Sequence, residues 1–548
     1  MTTGQANGAQ TNGLRKRYGY KPSPDQSMAK PAHHPVIIVG GGLVGLTTAI
    51  ELISKGIPAI VLERTDTVSE GSRSICQAKR TLEIWDRLGV GDVMVERGVT
   101  WKTGKVFDED QLLYSFDLLP ENGHKMPAFV NLQQFYVEEY LIDRLEELDG
   151  GVRWRNEVTS VEQHGDHVRL MINTPDGAYE MSCDWLIACD GARSGVRRQL
   201  DLSFDGKVFR DKFLITDVKM KADFPSERWF WFEPPFHNGQ TALLHRQADD
   251  VWRIDLQLGW DADNEEEQRL ERVEPRIRAM LGDGVDFEII WVSVYVFQCR
   301  TLSDYVHGRV IFAGDAAHQV SPFGARGGNA GIQDTDNLGW KLKLVLDGLA
   351  PSSLLETYTA ERLYAARENL LHSTRATDFI TPKSQTSRIL RDQTLALASE
   401  YPFAQSLVNS GRLSVPAHLK DSSLNTADED RFDCDLAPGS PAKDAPVMGN
   451  GKAGWLLGEI GDRFTAIAYE PNGADLPAKL NFDGVPVDVK CVGSGCAITD
   501  CDELVRKRYD LTPGSVYLFR PDHHIAARWR NFDAAKIENS VTRAVGRH

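Results

Sequence analysis

The stretch PVIIVGGGLVGLTTAIELISKGIPAIVLER, which begins at Pro35, constrains the fold more than any other part of the chain. Its β-branched residues 36–39 predict a strand, the glycines at 40–45 a tight turn, residues 46–54 a helix and residues 60–62 a second strand. A strand, helix and strand in this order form a βαβ unit, whose two strands run parallel in one sheet. The sequence therefore predicts a layered α/β domain.

The turn of this unit carries the spacing Gly40-x-Gly42-x-x-Gly45, and Glu63 ends the second strand. Glycines at these positions allow a pyrophosphate to approach the backbone, where the N-terminus of the helix supplies N–H groups and a favourable dipole. A carboxylate at the end of the second strand can accept hydrogen bonds from ribose hydroxyls. The pattern predicts a dinucleotide site for NAD or FAD, and the alternative is a tight turn without a ligand.

Two more apolar strands end in turns that combine aspartate and glycine. Residues 185–189 break at Asp190-Gly191 in DWLIACDGARSGVRRQL, and residues 310–313 break at Gly314-Asp315 in GRVIFAGDAAH. Both strands are almost entirely apolar, which is typical of strands covered on both faces. We therefore expect them in the same sheet as the βαβ unit.

The three motifs together resemble those of the aromatic-ring hydroxylases, which are single-component FAD-dependent monooxygenases of the para-hydroxybenzoate hydroxylase type. Residues 189–197 match the Asp-Gly motif of that family, and residues 314–318 with Pro322 match its Gly-Asp motif, so the resemblance spans about residues 35–370. It implies an α/β fold with a Rossmann-like FAD-binding domain and an inserted antiparallel-sheet substrate domain. Because a second glycine fingerprint is missing, it also implies that NADH or NADPH binds only transiently.

The resemblance implies which residues contact FAD, with Asp315 on the ribityl hydroxyls and the helix near Ala330 directed at the flavin. It places His318 in a structural role, and it makes Arg326 a departure from the family glutamine, facing the substrate, the nicotinamide or only solvent. The residues expected at the cofactor are Gly40, Gly42, Gly45, Glu63, Arg64, Arg73, Gln134, Asp190, Gly191, Gly314, Asp315, Pro322, Gly327, Gly328 and Asn329. Arg73 and Gln134 rest on a looser match than the others.

The segment between the second and third motifs reads as short strands, among them VWRIDLQL at 251–258. Alternation places Arg253, Asp255 and Gln257 on one face, and His245 with Gln247 is expected on the same face of the neighbouring strand. By resemblance this face looks into the substrate cavity. We predict that His245, Arg253 and Asp255 orient a phenol and help to remove its proton, and the alternative is a solvated polar face.

The activity implied by the resemblance is hydroxylation of a phenolic or related aromatic substrate, ortho to an existing hydroxyl. It would use O2 and NAD(P)H and proceed through a flavin C4a-hydroperoxide. Two alternatives are a flavin-dependent halogenase and a non-catalytic FAD-binding scaffold. The first is suggested by WFWFEP at 229–234, which has Glu233 where the halogenase signature has isoleucine.

Length and pattern predict several units in the 548 residues. The predicted divisions are a mobile tail (1–34), the first part of the FAD-binding domain (35–200), a substrate-binding sheet (201–290), the second part of the FAD-binding domain with helices (291–420), a linker (421–446) and a C-terminal domain (447–548). The last resembles the thioredoxin-like extension of the phenol hydroxylase branch, but without its redox cysteine pair. We expect it to support a homodimer or to brace the structure.

Charge and cysteine content limit the partners. The formal net charge of -16 provides no overall positive field for nucleic acid or an anionic membrane, and no apolar run reaches the length of a membrane span. Eight cysteines without a C-x-x-C pair predict reduced thiols in a cytoplasmic protein. Cys491, Cys496 and Cys501 are close enough in sequence to suggest a metal site, but ordinary packing is favoured and no metal is predicted.

Overall fold

The computed structural model describes residues 16–71, 73–237, 239–408, 413–471 and 476–547. The strands in these residues are β1 (Ala32–Val39), β2 (Ala59–Glu63), β3 (Cys76–Ala78), β4 (Val99–Trp101), β5 (Thr103–Asp108), β6 (Gln111–Asp117), β7 (Phe129–Asn131), β8 (Val152–Trp154), β9 (Glu157–Gln163), β10 (Val168–Thr174), β11 (Gly177–Ala188), β12 (Asp205–Met220), β13 (Arg228–Phe232), β14 (Thr241–Arg246), β15 (Val251–Leu258), β16 (Phe287–Thr301), β17 (Val306–His307), β18 (Val310–Phe312), β19 (His318–Gln319), β20 (Pro446–Gly449), β21 (Lys452–Trp455), β22 (Phe464–Tyr469), β23 (Lys479–Phe482), β24 (Val485–Val492), β25 (Ile498–Thr499), β26 (Val516–Phe519) and β27 (Ile525–Trp529).

Helices connect and cover these strands. The α-helices in the described residues are α1 (Leu43–Ser54), α2 (Lys79–Arg87), α3 (Gly91–Arg97), α4 (Gln134–Glu147), α5 (Gly195–Gln199), α6 (Asn264–Glu267), α7 (Leu270–Leu281), α8 (Gly327–Leu346), α9 (Glu356–Ile380), α10 (Gln385–Ala398), α11 (Pro402–Gln405), α12 (Leu456–Ile460), α13 (Leu504–Arg508) and α14 (Ala534–Ala544).

The first sheet confirms the predicted Rossmann-like domain. Its central strands lie in the order β18-β11-β1-β2-β8 and run parallel. The side chains of Ile37, Ile38, Leu186 and Ile187 are fully buried, as expected for strands covered on both faces. Because the carboxyl ends of parallel strands meet at one edge, this order brings the turns after β1, β11 and β18 together.

The second sheet is larger than the predicted 201–290 insertion. Its order is β19-β16-β12-β15-β14-β13-β5-β6, so it extends to Thr301 and takes the hairpin β5-β6 from the segment assigned to the first domain. Strand β5 pairs in parallel with the aromatic strand β13, and the ring of Phe107 stacks on that of Trp231 at 5.1 Å. The hairpin thus covers an aromatic edge that would otherwise be exposed, and the predicted boundaries were wrong here.

The C-terminal sheet has the order β21-β20-β25-β24-β22-β26-β27, with β22 parallel to β24 and antiparallel to β26. The thioredoxin-like assignment of this domain stays a prediction. The predicted linker is part of the domain instead, because Leu436, Ala442 and Ala445 pack in its core. Cys491 and Cys496 form a disulfide, which corrects the prediction that all cysteines are reduced.

The C-terminal domain meets the first domain through a buried set of charges, which we call the interface network. In it, Arg520 contacts Glu361 of α9 (Nη1–Oε1 2.6 Å) and Asp522 (Nε–Oδ1 3.0 Å). Arg80 of α2 donates to the carbonyl oxygen of Asp522 at 2.6 Å. We include in the network four cations and four carboxylates, namely Arg80, Arg87, Lys341, Arg520, Glu51, Asp336, Glu361 and Asp522. Lys55 and Glu83 contact its margin through Glu51 and Arg80.

Each carboxylate of the interface network contacts at least one cation. Although burial opposes its ionisation, Arg520 and Lys341 hold the pKa of Glu361 far below its usual value. Burial lowers the pKa of Lys341 to about 8, with Glu361 opposing the shift. The network therefore joins the two domains through paired buried charges.

The predicted mobile tail is only partly described, since residues 1–15 lie outside the described residues. Within residues 16–34, Tyr18, Asp25 and Gln26 contact the first domain. The ring of Tyr18 stacks on Trp154 at 4.4 Å, a short 3-10 helix spans Pro24–Ser27, and β1 begins at Ala32 rather than at residue 36. The second half of the predicted tail was therefore assigned wrongly.

Candidate active site

The glycines in the turn after β1 are of two kinds, those that the fold itself requires and one that leaves open space. A Cβ on Gly40, whose φ is 107°, would lie 2.5 Å from the carbonyl oxygen of Cys189, and one on Gly45 would lie 2.0 Å from the carbonyl oxygen of Gly40. A Cβ on Gly42 would meet only Oε1 of Glu138, at 3.8 Å. The protein itself requires glycine at 40 and 45, whereas the space at Gly42 stays open to a ligand.

Glu63 lies where the sequence predicts it, and it also supports the turn. Its Oε2 accepts a hydrogen bond from the N–H of Gly41 at 2.7 Å, and its Oε1 accepts one from the N–H of Thr65 at 2.9 Å. Oε1 also accepts from the hydroxyl of Thr65 at 2.9 Å, so of the about four acceptor positions of the carboxylate the one left, on Oε2, can accept from a ribose hydroxyl. Arg64 follows directly and is exposed.

The two aspartates of the other motifs line the same edge. Oδ2 of Asp190 caps α5 by accepting the N–H groups of Gly195 and Val196, while its Oδ1 is buried without a partner among the described residues. The side chain of Asp315 is accessible, and yet desolvation by the surrounding protein raises its pKa. An accessible carboxyl inside the protein lines a crevice, as a ribityl-binding aspartate must.

The adjoining glycines allow these turns to form. Gly191 and Gly314 have φ values of 77° and 62°, in the region that favours glycine. A Cβ on Gly314 would lie 2.9 Å from a methyl carbon of Val44, and the Gly314 N–H donates to Asp334 at 2.9 Å. The motif glycines are thus explained by backbone geometry and close packing.

Residues 321–329, which we call the cofactor loop, lead into α8, which begins at Gly327 and not near Ala330 as predicted. The N–H groups of the first helical turn point out of the helix and can stabilise negative charge. Pro322 accepts the N–H of Ala325 at 3.1 Å, which closes a turn. The earlier start brings Gly327 and Gly328 into this first turn.

The side chain of Asn329 is used by the protein itself. Its Oδ1 accepts from the N–H of Ala78 at 2.9 Å and the hydroxyl of Thr81 at 2.7 Å, and its Nδ2 donates to the carbonyl oxygens of Cys76 and Ala325. All donors and acceptors of the amide are occupied. Asn329 therefore ties the cofactor loop to β3 and α2, and its backbone is what remains for a cofactor.

Two basic residues beside the cofactor loop have structural partners. Nη1 of Arg326 donates to Asn369 of α9 at 3.2 Å and the residue is 3% exposed, which excludes the predicted solvent-facing alternative. His318 contacts Asp334 at 2.7 Å, and Asp334 also accepts from Arg362 at 2.7 Å. His318 therefore contacts the buried ion pair of Asp334 and Arg362, and its structural role stays a prediction.

Gln134 contacts Ser69 and Ser74, and Arg73 directly precedes Ser74. Oε1 of Gln134 accepts the N–H of Ser74 at 3.1 Å, and its Nε2 donates to Ser69 at 3.0 Å. Sequence reasoning missed Glu138, which accepts the Ser69 N–H at 2.7 Å and lies below Gly42. Arg73 is exposed and helps to hold down the otherwise raised pKa of Asp315.

The predicted polar residues of the second sheet do share one face, and the structure adds two more. Strand pairing places Arg228, His245, Arg253 and Asp217 side by side across four neighbouring strands, and Asp255 two residues further along β15. These five residues form what we call the sheet cluster. Arg253 binds Asp217 through two hydrogen bonds of 2.8 and 2.9 Å, and Gln247 donates to the same carboxylate at 2.9 Å.

The predicted alternative of a solvated face is wrong, because this face is buried. His245, Arg253, Arg228 and Asp217 are between 3% and 5% exposed. Desolvation raises the pKa of Asp255 to about 6, with Arg253 opposing the shift. Desolvation, with Arg228 and Arg253 nearby, holds the pKa of His245 well below its usual value. His245 is therefore neutral at physiological pH.

Several polar atoms at the sheet cluster lack partners among the described residues. They are Oδ1 of Asp255, Nδ1 of His245 and Oε1 of Gln247. Buried polar atoms without hydrogen bonds are costly, at about 1–3 kcal/mol each, and are normally satisfied by a ligand or by water. These unpaired acceptors make the inner face of the sheet a candidate binding site.

Contacts link the inner face of the sheet to the first domain. The ring of Phe213 packs against Phe323 of the cofactor loop at 5.1 Å, and the ring of Trp291 lies against Gly71. Desolvation raises the pKa of Tyr295 to about 12, and the charge of Asp315 adds to this shift. The turns after β1, β11 and β18 form the edge of the first sheet that carries the three motifs, which we call the three-motif edge. The sheet cluster and the three-motif edge thus face one shared region.

A dinucleotide-binding edge that faces the buried polar sheet of a second domain is typical of a flavoprotein. A family model described as "FAD binding domain" matches residues 33–373, and the chain belongs to this family. It is an FAD-dependent monooxygenase. In the described residues no helix has the length and apolar character needed to cross a membrane.

The relatives agree with this assignment over most of the chain. It is 30% identical to a 6-methylpretetramide 4-monooxygenase of Streptomyces rimosus, with 90% of each chain covered. It is 28% identical to a 4-methyl-5-nitrocatechol 5-monooxygenase of Burkholderia sp, covering 92% of this chain and 95% of the relative. The fold is similar to that of the flavin-dependent monooxygenase PieE solved with FAD and substrate, with a TM-score of 0.80, 23% identity and coverage of 95% and 100%.

Proposed function

We propose that the protein hydroxylates a phenolic aromatic substrate ortho to an existing hydroxyl, with NADH or NADPH as reductant and O2 as oxygen source. The observation that carries this proposal is Asp255, an ionisable carboxyl with a pKa of about 6 and an unpaired oxygen, on the sheet face that meets the cofactor loop. The named activities of two relatives, on a pretetramide and a nitrocatechol, support an aromatic substrate.

FAD fits the three-motif edge. The open space at Gly42, the unpaired Oδ1 of Asp190 and the accessible carboxyl of Asp315 provide positions for its pyrophosphate and sugar hydroxyls. We propose that the cofactor is held by Gly40, Gly42, Gly45, Glu63, Arg64, Arg73, Gln134, Asp190, Gly191, Gly314, Asp315, Pro322, Gly327, Gly328 and the backbone of Asn329. When bound, FAD supplies hydride acceptance from NAD(P)H and activation of O2.

The sheet cluster provides the acid–base chemistry. In this proposal Asp255, ionised above pH 6, accepts the proton of the substrate hydroxyl, which shifts electron density to the ring carbons ortho and para to it. Arg253, fixed by Asp217, stabilises the negative charge left on the oxygen. His245 stays neutral and orients the hydroxyl through a hydrogen bond.

Apolar residues next to the sheet cluster limit the access of water. Leu243, Phe230 and Phe213 share the inner face with Asp255 and are at most 7% exposed. Excluding water from a site strengthens its electrostatic interactions and suppresses side reactions. We infer that these side chains contact the substrate ring.

The test is a screen of phenols and fused-ring phenols for stimulation of NADH and NADPH oxidation by the FAD-loaded protein, followed by product mass. A gain of one oxygen atom at a position ortho to a hydroxyl supports the proposal. A para product contradicts only the ortho assignment. The absence of any stimulated oxidation or of oxygenated product would overturn the function.

We also propose that the protein acts as a homodimer in the cytoplasm, with the C-terminal domain at or near the dimer contact. Size-exclusion chromatography with light scattering tests the assembly. A monomer at micromolar concentration would contradict it.

A further inference from the structure

The unpaired atoms of the sheet cluster have a common property. The carboxylate of the half-buried Asp255, whose Oδ1 is itself buried, and the side-chain carbonyl oxygen of the neighbouring Gln247 only accept hydrogen bonds. Nδ1 of a neutral His245 accepts when the hydrogen is on Nε2. The donors of Arg253 that face Asp217 are already used, since the pair makes two hydrogen bonds. The partners that these orphaned acceptors need are therefore hydrogen-bond donors.

The charges of the sheet cluster also favour a neutral ligand that donates hydrogen bonds. Arg228 and Arg253 are opposed by Asp217 and by Asp255 when it is ionised, while His245 is neutral. The buried charges then sum to zero. A carboxylated ligand would add one uncompensated negative charge to this buried site, at a considerable cost in desolvation. A neutral ligand with hydroxyl groups adds donors without adding charge.

Strand register gives the spacing of the two main acceptors. His245 pairs with Arg253 and Leu243 pairs with Asp255, so His245 and Asp255 occupy diagonal positions on neighbouring strands. Diagonal positions on one face are separated by roughly 7–8 Å between Cα atoms, and their side chains can reach the same molecule. One aromatic ligand can therefore contact both.

We propose that the substrate is a non-carboxylated aromatic with at least two hydroxyl groups, one donating to Nδ1 of His245 and the other to Oδ1 of Asp255. This inference rests on the proposed function, because it assumes that the inner face binds the substrate. In it, His245 sets specificity, and Asp255 both sets specificity and accepts the proton.

The experiment measures dissociation constants for the FAD-loaded protein without NAD(P)H, from the change in flavin absorbance. The probes are phenol, catechol, resorcinol and salicylate, together with 1-hydroxyanthraquinone and 1,8-dihydroxyanthraquinone. A dihydroxy compound should bind about tenfold or more tightly than its monohydroxy partner of the same ring size, which corresponds to one good hydrogen bond of about 1.4 kcal/mol. Salicylate should bind more weakly than catechol.

Variants test which residues cause the preference for dihydroxy over monohydroxy compounds. His245→Leu and Asp255→Leu should each reduce the dihydroxy preference to less than threefold. Thr216→Val is the matched control, because Thr216 is also buried with an unpaired hydroxyl but lies on the opposite face of β12. It should keep the full preference.

Equal affinities within each pair, preferential binding of salicylate, or an unchanged preference in both leucine variants would overturn the inference. The dissociation constants of the wild-type protein for these probes test the inference even if a variant does not fold. If monohydroxy phenols bind and turn over as well as dihydroxy ones, the proposed function holds and this inference fails. If no hydroxylated compound binds or stimulates NAD(P)H oxidation, both fail.

Discussion

Two buried polar regions of this protein differ in how far the chain satisfies its own groups. In the interface network each carboxylate contacts a cation, as Glu361 does with Arg520 and Lys341. In the sheet cluster an Asp255 oxygen and a His245 nitrogen have no partner among the described residues. The interface network also leaves two buried nitrogens without a hydrogen bond in the described part of the chain, Nη1 of Arg80 and Nε of Arg87, so the contrast lies in the acceptors. Those of the first region are paired across the domains, and those of the second are open to another molecule.

The largest expected effect tests the first region. Arg520→Ala leaves Glu361 and Asp522 buried without their main cation, so we expect a loss of about 3–5 kcal/mol in the free energy of unfolding, measured by urea denaturation. Arg506→Ala in the same domain is the control, because its contact with Glu503 is exposed and should contribute less than about 1 kcal/mol. Equal losses in the two variants would contradict the role of the network.

The second prediction concerns Asp255, where activity and stability should move separately. Asp255→Asn should lower kcat/KM for a phenolic substrate about 100-fold, since the proton acceptor is lost. Its folded pKa of about 6 lies above the usual 3.8, so the stability it contributes is complete below pH 3.8 and is lost as pH rises through 6. At pH 8 the asparagine variant should therefore be at least as stable as the wild type.

Asp217→Asn is the matched variant for this second prediction. Asp217 is paired with Arg253 through two hydrogen bonds, so its replacement should lower the free energy of unfolding at pH 8. If Asp255→Asn destabilises the protein as much as Asp217→Asn, then Asp255 is a paired structural group and the contrast between the two regions fails.

A third prediction compares Asp255 and Glu361 through the pH dependence of kcat/KM. If Asp255 must be ionised to accept a proton, kcat/KM should rise with pH and level off above an apparent pKa of about 6, falling tenfold per unit below it. Glu361, whose pKa is held far below its usual value, should not titrate in this range. The profile is measured between pH 5 and 8 with a substrate whose own pKa lies above 9. A sigmoid retained in Asp255→Asn would assign the titration to another group.

The sequence predicts those features whose residues lie close together along the chain. The turns after β1, β11 and β18 were predicted because each combines an apolar strand with glycine and acid, and alternation along β15 placed Arg253 and Asp255 on one face. Arg228 and Asp217 were missed, because their places in the sheet cluster depend on register between strands that are far apart in sequence. Alternation along one strand predicts which face a side chain occupies, but only the pairing between strands determines which side chains are its neighbours.

Long-range packing explains the other differences. The hairpin β5-β6 joins the second sheet because its edge covers aromatic β13, and residues 421–446 read as a linker although they bury Leu436 and Ala442. The role of Asn329 was also not visible, since its partners Ala78 and Thr81 precede it by about 250 residues. Such contacts are decided by the tertiary fold, which overrides local composition.

The prediction with the smallest expected effect compares two glycines of the same turn, one beside open space and one closely packed. Gly42→Ala adds a methyl group that meets only Oε1 of Glu138 at 3.8 Å, so the free energy of unfolding without FAD should change by less than about 1 kcal/mol. If the pyrophosphate approaches this backbone, the same methyl group should raise the dissociation constant for FAD about tenfold, or 1.4 kcal/mol.

Gly45→Ala and Gly151→Ala complete this test, with fluorescence titration of FAD into the apoprotein as the measurement. At Gly45 the added carbon would lie 2.0 Å from the carbonyl oxygen of Gly40, so both stability and FAD affinity should fall. Gly151 has open space and lies away from the motifs, so neither should change. Normal FAD affinity in Gly42→Ala would mean that the open space there is not used by the cofactor, and that the chain leaves room at this edge for another reason.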